Sequence, residues 1–161
     1  MKRQAAVLSA ALAVAVVGIA VVSSNAQQPG PPTGTLDLVQ RGRESTFRHI
    51  DHPPRGGGPQ ALSPGDVAII GGTLRDTSNR RVGKVHVTFM RLKGRRKAHV
   101  DQVNATFDLK GGQIVMGGVS DGGRVDVVAI TGGTGSYAGA RGSMRVAQMR
   151  REAHFRITFI G

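Results

Sequence analysis

The strongest constraint on the fold is an alternation of apolar and polar side chains with a period of two residues. In the segment 153–160, one parity carries Phe155, Ile157 and Phe159 and the other carries His154, Arg156 and Thr158. Segments 84–92 and 99–109 repeat this pattern. Successive side chains of a β-strand point to opposite faces, so each segment has one dry face and one wet face. We therefore predict strands whose buried face includes Val87, Phe89, Val103, Phe107, Ile157 and Phe159.

Nine segments rich in Val, Ile, Thr or Phe are separated by turn residues. They are 36–40, 46–50, 66–74, 84–92, 99–109, 113–119, 124–131, 143–149 and 153–160. No window after residue 26 shows a helical period, which makes the chain all-β. Seven to nine antiparallel strands are expected to close into a barrel or a two-sheet sandwich, because an open sheet would leave unpaired edges. The chain has no cysteine, which excludes a disulfide scaffold, a Cys-ligated metal site and a thiol nucleophile.

The first 26 residues have the layout of a secretory signal peptide. A basic start over 1–3 is followed by an apolar stretch over 5–22, and Ser24 and Ala26 are the small residues that a cut after Ala26 requires. The alternative is an uncleaved membrane anchor, because the apolar stretch has nearly the length of a membrane span. Both interpretations place the domain outside the cytoplasm. A Pro/Gly linker over 27–34 would then lead into a single domain over 35–161.

Basic side chains are in excess, with a formal net charge of +12. Several of them fall around one predicted hairpin tip at Gly94: Arg91, Lys93, Arg95, Arg96 and Lys97. Nucleic acid is not the expected partner, because no aromatic residues are interleaved to stack bases and the chain is predicted to be exported. An anionic component of the cell envelope fits better. The alternative is a set of charged turns that keep a β protein soluble and block edge pairing.

The most distinctive motif is the Gly/Ala-rich segment 129–142, AITGGTGSYAGARG. Neither a Lys-Ser/Thr pair nor a helix follows it, so it is not a phosphate-binding loop. It is either a wide turn between two strands or a loop that shapes the mouth of a pocket and presents Tyr137 and Arg141.

This motif and four others occur in the order found in one protein family. The others are Gly65-Asp66-Val67, Arg81-Val82-Gly83-Lys84, Asn104 to Leu109 (NATFDL) and Gln113 to Gly118 (QIVMGG), and the closing Phe155 to Phe159 (FRITF) fits the last strand. The set resembles the allene oxide cyclases, the dirigent proteins and their bacterial secreted relatives over about residues 36–160. The resemblance implies an eight-stranded antiparallel β-barrel with a hydrophobic cavity. It also implies cyclisation of an unstable fatty-acid epoxide or stereoselective coupling of phenoxy radicals, without a cofactor.

The resemblance carries over unevenly to individual site residues. The acidic residue of the plant cyclases falls near Arg48 or His49, and their asparagine falls near Gly72. The acidic residue that dirigent proteins have after Gly-Gly-Thr-Gly is here Ser136. Arg141 is the position that carries over. We predict that Arg141 and Tyr137 orient the polar end of a small hydrophobic or phenolic ligand, or that Arg141 forms a structural ion pair with Asp126 or Asp101.

Two groups of polar residues are candidates for further chemistry. His99 and Asp101 share the parity of the apolar face of their strand, so they are predicted to point into the barrel near one end as proton carriers. The alternative is that the strand has not yet entered the core there. His49, Asp51 and His52 lie close in sequence, but this Pro-rich segment favours solvated side chains over a metal site.

The sequence therefore predicts a secreted barrel that binds a small apolar or polyunsaturated molecule and guides its cyclisation or coupling. Guidance of this kind needs proximity and exclusion of water rather than a nucleophile or metal. The alternative is a non-catalytic barrel that binds a hydrophobic ligand or an anionic cell-surface component. A cavity that holds a polar pair would favour the first, and a wholly apolar cavity would favour the second. The oligomeric state is open, and a homo-oligomer fits either function.

Overall fold

The computed structural model describes residue 30 and residues 32–52, 62–95, 98–123 and 125–161. The predicted signal peptide and half of the predicted linker lie outside these residues. In the described part of the chain, no helix has the length and apolar character needed to cross a membrane.

Eight antiparallel strands close into a barrel in sequence order. They are β1 (Gly34–Ile50), β2 (Val67–Arg75), β3 (Arg81–Arg95), β4 (Ala98–Leu109), β5 (Gly112–Ser120), β6 (Val125–Gly133), β7 (Gly142–Gln148) and β8 (Glu152–Phe159). Each strand pairs with the next along the chain, and β8 pairs with β1. A closed barrel has no free edge, which is how a β-rich chain of this size avoids edge-to-edge aggregation. The predicted fold class is confirmed.

The first strand differs from the prediction, which divided it into two short segments. It is one strand of 17 residues whose pairing with β2 shifts between Gln40 and Ser45. Gly34 to Arg41 pair with β8, and Val39, Gln40 and Ser45 to Ile50 pair with β2. A bulge of this kind bends a strand and moves its side chains to new directions. The polar run 41–45 broke the alternation in the sequence, and this run is where the bulge occurs.

The strands alternate in direction, so the turns collect at two ends of the barrel. The closed end contains the start of β1 and the turns β2–β3, β4–β5 and β6–β7. The open end contains the connections β1–β2, β3–β4, β5–β6 and β7–β8. The half of the barrel next to each end is called the closed half and the open half below.

The closed half holds the tightest packing. Phe107 and Ile157 have no exposed surface, and the rings of Phe107 and Phe155 meet edge to face with centroids 5.1 Å apart. Tyr137 stacks on Phe159 at a centroid distance of 6.1 Å and covers this end. The predicted core residues are confirmed: Val87, Val103, Phe107, Ile157 and Phe159 are buried, and Phe89 is partly buried against them.

Candidate ligand-binding site

An interior cavity of about 80 Å³ lies in the open half of the barrel. Its walls are mainly apolar side chains: Ile70, Val87, Phe89, Val103, Ala105, Val128, Met144, Val146 and Phe155. These residues come from six strands and all point inward by the period-two rule. The side chains of the open half thus leave a space between them, whereas Phe107 in the closed half is fully buried.

Three polar side chains also line the cavity, namely Gln40, Asp126 and Gln148. Gln40 is buried, and its amide Nε2 donates to the carbonyl oxygen of Gly71 at 3.4 Å. A Cβ atom at Gly72 would lie 2.1 Å from Gln40 Nε2, so the Gln40 side chain occupies the space that a side chain at position 72 would need. An amide from β1 thus occupies the space beside Gly72 on β2.

Asp126 is the one carboxylate among the residues that line this cavity. It pairs across the sheet with Val146 and shares its inward face with Val128 and Ile130. No ion pair involves Asp126 within the described ranges, so the predicted pairing with Arg141 is absent there. Sequence reasoning named Asp126 only as an ion-pair partner, although its parity with Val128 and Ile130 was the signal for an inward-facing carboxylate.

A wider groove of about 290 Å³ adjoins the cavity at the open end, and we call it the vestibule. Gln40, Ile70 and Gln148 line both spaces, so they form the neck between them. Phe47 and Met149 add apolar surface to the vestibule, and they are 51% and 60% exposed. These two side chains give the cavity entrance an exposed apolar rim.

The structure brings the predicted pair His99 and Asp101 together in the open half. His99 Nε2 lies 3.5 Å from Asp101 Oδ2. Asp101 is buried, and it is the next inward-facing residue of β4 from the cavity residue Val103 towards the open end. Neither residue lines the cavity. The carboxylate of Asp101 also accepts hydrogen bonds from Arg91 Nε and, at 3.4 Å, from Arg91 Nη2. Their role as proton carriers stays a prediction.

The prediction that Arg91 belongs to an exposed basic hairpin tip is wrong. Arg91 is 5% exposed, and besides Asp101 its guanidinium donates to the carbonyl oxygen of Leu62 at 3.1 Å. Its odd parity on β3, shared with Val87 and Phe89, turns it inward, where only a paired charge is tolerated. Lys93 remains exposed at the tip. Residues 96 and 97 lie outside the described residues.

Arg141 and Tyr137 lie at the closed end, away from the cavity. Arg141 is exposed at the end of the loop before β7, and its carbonyl oxygen accepts a hydrogen bond from Ile160 N at 3.0 Å. Burial raises the pKa of the Tyr137 phenol, whose ring packs on Phe159. The Gly/Ala-rich loop turns tightly here, with Gly135 and Gly139 at φ of 59° and 73°. The role of Arg141 and Tyr137 in ligand binding stays a prediction.

The expectation of solvated side chains in the segment around His49 is wrong for His49, whose side chain is 11% exposed and lies in a polar cluster. Ligand atoms of His49, Asp51 and Asp66 lie within 4.8 Å of one another, and His52 joins only through its backbone. Asp66 is buried and accepts hydrogen bonds from His52 N at 2.9 Å and from Ser63 N at 2.6 Å. Burial opposes ionisation of Asp66, but these hydrogen bonds outweigh it and lower its pKa to about 2. His49 Nε2 lies 3.4 Å from Asp66 Oδ2, outside hydrogen-bonding geometry. The two carboxylate oxygens of Asp66 accept hydrogen bonds from His52 N and Ser63 N, which lie on different sides of the β1–β2 connection. Asp66 therefore holds His52 and Ser63 close to each other.

Comparisons with known proteins agree with this architecture. The allene oxide cyclase barrel-like domain matches residues 49–160. The chain belongs to this family. No protein with a curated function matches it in sequence.

Three solved structures illustrate the likeness. A pyocyanin demethylase superposes with a TM-score of 0.67 at 19% identity, covering 79% of this chain and 100% of that one. A pterocarpan synthase dirigent protein gives 0.63 at 16% identity, covering 79% and 94%. An exo-specific intermolecular Diels-Alderase gives 0.55 at 18% identity, covering 80% and 99%. These similarities establish a common fold.

Proposed function

We propose that this barrel binds a small, mainly apolar molecule in its open half and guides that molecule's cyclisation or coupling. The observation that carries the proposal is the cavity itself, which joins apolar walls to a carboxylate and two amides at one end. Ligand sites in proteins have this character, with a mostly apolar lining and a few polar groups that fix orientation. The names of the structural neighbours, a demethylase, a pterocarpan synthase and a Diels-Alderase, support a reaction on a small organic molecule.

The walls can promote cyclisation by geometry. A flexible polyunsaturated chain that is held in a narrow apolar space loses most of its non-productive conformers, which brings its reacting atoms together. The same walls exclude water, which would otherwise trap a reactive intermediate. Asp126 is placed to accept or donate a proton at the ligand, and the Gln40 and Gln148 amides to hold a developing negative charge on oxygen.

The polar groups favour guidance over simple storage. A barrel that only stored an apolar molecule would gain nothing from a carboxylate on its cavity wall, because even partial removal of an unpaired charge from water is unfavourable. Asp126 stands on that wall without a described ionic partner. This is the observation that separates the catalytic proposal from a non-catalytic hydrophobic carrier.

Binding is tested by filling the cavity and comparing the result with the same change on the outer surface. Val146→Phe adds a ring to the cavity wall, whereas Val127→Phe adds one to an exposed position on the neighbouring strand. The probe is the methyl ester of cis-parinaric acid, a polyunsaturated chain that fluoresces in apolar surroundings. We expect the parent and Val127→Phe to bind it and Val146→Phe to lose most of the signal. Equal binding by all three proteins would refute the cavity as the site.

Guidance is tested with a fatty-acid epoxide that cyclises spontaneously to a racemic product. The parent is expected to give an excess of one enantiomer, and Asp126→Asn to reduce the rate while the ester probe still binds. Binding without any change in the enantiomeric ratio would favour the non-catalytic barrel.

Export from the cytoplasm belongs to the proposal as well. The sequence layout of residues 1–26 supports it. Mass spectrometry of protein recovered outside the producing cell is expected to show a chain that begins at Gln27. Retention of the full-length chain in the membrane fraction would support the anchor instead.

A further inference from the structure

An arginine-lined cleft continues from the vestibule over the open end of the barrel. It is formed by the bulge of β1 and the turn between β7 and β8, and its lining is Arg41, Gly42, Arg43, Arg150, Arg151 and Glu152. Four of these six residues carry a guanidinium group and one carries a carboxylate, so the lining has an excess of positive charge. We call it the arginine cleft.

The backbone holds the two sides of the arginine cleft together. Gly42 N donates to the carbonyl oxygen of Arg151 at 2.7 Å, which joins the β1 bulge to the β7–β8 turn. Within that turn, Met149 N donates to the carbonyl oxygen of Glu152 at 2.8 Å, which places Arg150 and Arg151 at its two central positions. Main-chain contacts thus hold the backbone of the β1 bulge and that of the turn together, so the two sides of the cleft do not need to be brought together when a ligand arrives.

The charges of the arginine cleft are incompletely balanced. Arg41 Nε lies 3.5 Å from Glu152 Oε1, and the other oxygen of Glu152 lies 3.2 Å from His154 Nε2. Among the residues that the structure describes, no carboxylate lies within ion-pair distance of Arg43, Arg150 or Arg151. Guanidinium groups present a planar fork of donors that matches a carboxylate, which makes them the preferred residues for binding such groups.

The cavity, the vestibule and the arginine cleft form one continuous path. The vestibule shares Gln40, Ile70 and Gln148 with the cavity, and it shares Gly42, Arg150, Arg151 and Glu152 with the cleft. The cavity of about 80 Å³ is far smaller than the 300–1,000 Å³ of typical ligand pockets. A ligand that enters it must therefore extend through the vestibule, and its outer end must meet the arginines.

We infer that the ligand is an amphiphilic carboxylate, whose apolar part fills the cavity and vestibule and whose carboxylate is held by Arg43, Arg150 and Arg151. This inference rests on the proposed function and adds the chemical class and the direction of binding. The apolar part enters first, and the charged end stays at the surface, where its desolvation cost is small.

The test compares one ligand body with and without its charge. Titration with cis-parinaric acid and with its methyl ester is followed by fluorescence. The cleft variant is Arg150→Gln with Arg151→Gln, and the control is Lys84→Gln with Lys110→Gln, which removes two exposed charges from the closed half. The parent and the control are expected to bind the acid about tenfold more tightly than the ester. The cleft variant is expected to lose this preference while its affinity for the ester is unchanged.

The remaining outcomes separate the two proposals. Equal affinity of the parent for acid and ester would overturn the arginine inference and leave the apolar cavity in place. A cleft variant that keeps the preference for the acid would overturn it as well. Failure of the parent to bind either probe would overturn both proposals. Binding to anionic lipid vesicles without binding of the monomeric acid would show that the cleft contacts a membrane surface.

Discussion

The closed and open halves of this barrel are built from the same strands but differ in how tightly their interiors are packed. In the closed half, Phe107, Ile114 and Ile157 belong to the hydrophobic core and have no exposed surface. The open half surrounds an unfilled space, an inward carboxylate at Asp126 and an entrance lined by arginines. One half therefore supplies the stability that a chain without disulfides needs, and the other is free to bind a ligand at some cost in stability.

The largest expected effect is at the centre of the closed half. Phe107→Ala is expected to lower the free energy of unfolding by about 3–5 kcal/mol, because it removes a fully buried ring and leaves a cavity beneath Phe155. Phe89→Ala, at the cavity wall, is expected to cost clearly less because that ring is only partly buried. Urea denaturation measures both. Equal losses would show that the two halves do not differ in packing.

The buried ion pair in the open half is the next largest contribution. Asp101→Asn is expected to lower the free energy of unfolding by about 3 kcal/mol, because it leaves the Arg91 guanidinium buried without a counter-charge. Asp37→Asn is the matched control, since Asp37 pairs with Arg156 at 2.8 Å on the exposed surface. Thermal denaturation of both variants should show a large loss only for the first. A loss as small as that of the control would contradict the buried pair.

The Asp66 cluster predicts a pH dependence of stability. The pKa of Asp66 in the folded chain is about 2, below its ordinary value of 3.8. A lowered carboxyl pKa stabilises the fold above the unfolded value, and this stabilisation is lost as the pH falls from about 4 towards 2. Urea midpoints over this range are expected to drop for the parent and less steeply for Asp66→Asn. Parallel curves for the two proteins would assign the acid sensitivity to other carboxylates.

The smallest effect is expected where a large side chain enters the space in the open half. Val146→Phe is expected to change the free energy of unfolding by less than about 1 kcal/mol, whereas Val85→Phe in the closed half should cost about 1–3 kcal/mol by overpacking. Melting temperatures of the two variants give the comparison. A greater loss for Val146→Phe would mean that the cavity cannot accept added volume.

The fold followed closely from the sequence because period-two alternation fixes which side chains point inward. Strand parity alone placed Val103, Phe107 and Ile157 in the core, and the ordered motifs indicated the eight-stranded barrel. The same rule applied to Arg91 and Asp126 would have turned both inward, but Arg91 was grouped with the charges of a hairpin tip and Asp126 was considered only as an ion-pair partner of Arg141. Parity is decided by the backbone and holds for charged residues too, provided that the barrel supplies a partner or a cavity.

The position of the proposed site was harder to predict. Tyr137 and Arg141 stand out in the sequence because their loop is rich in glycine, yet they lie at the closed end. The arginine cleft joins Arg43 to Arg150 across 107 positions of sequence, and it depends on the β1 bulge and on the hydrogen bond from Gly42 to Arg151. Closure of the barrel brings these distant segments into contact. A local sequence pattern does not predict such a contact.

The location of the ligand is the central claim, and backbone amide NMR measures it most directly. Titration of the isotope-labelled protein with cis-parinaric acid is predicted to shift the amide signals of Ile70, Val146 and Gln148, and to leave those of Leu74 and Ile114 unchanged. Shifts that cluster instead at Tyr137 and Arg141 would place the ligand at the closed end and contradict the division of the barrel into a packed half and a binding half.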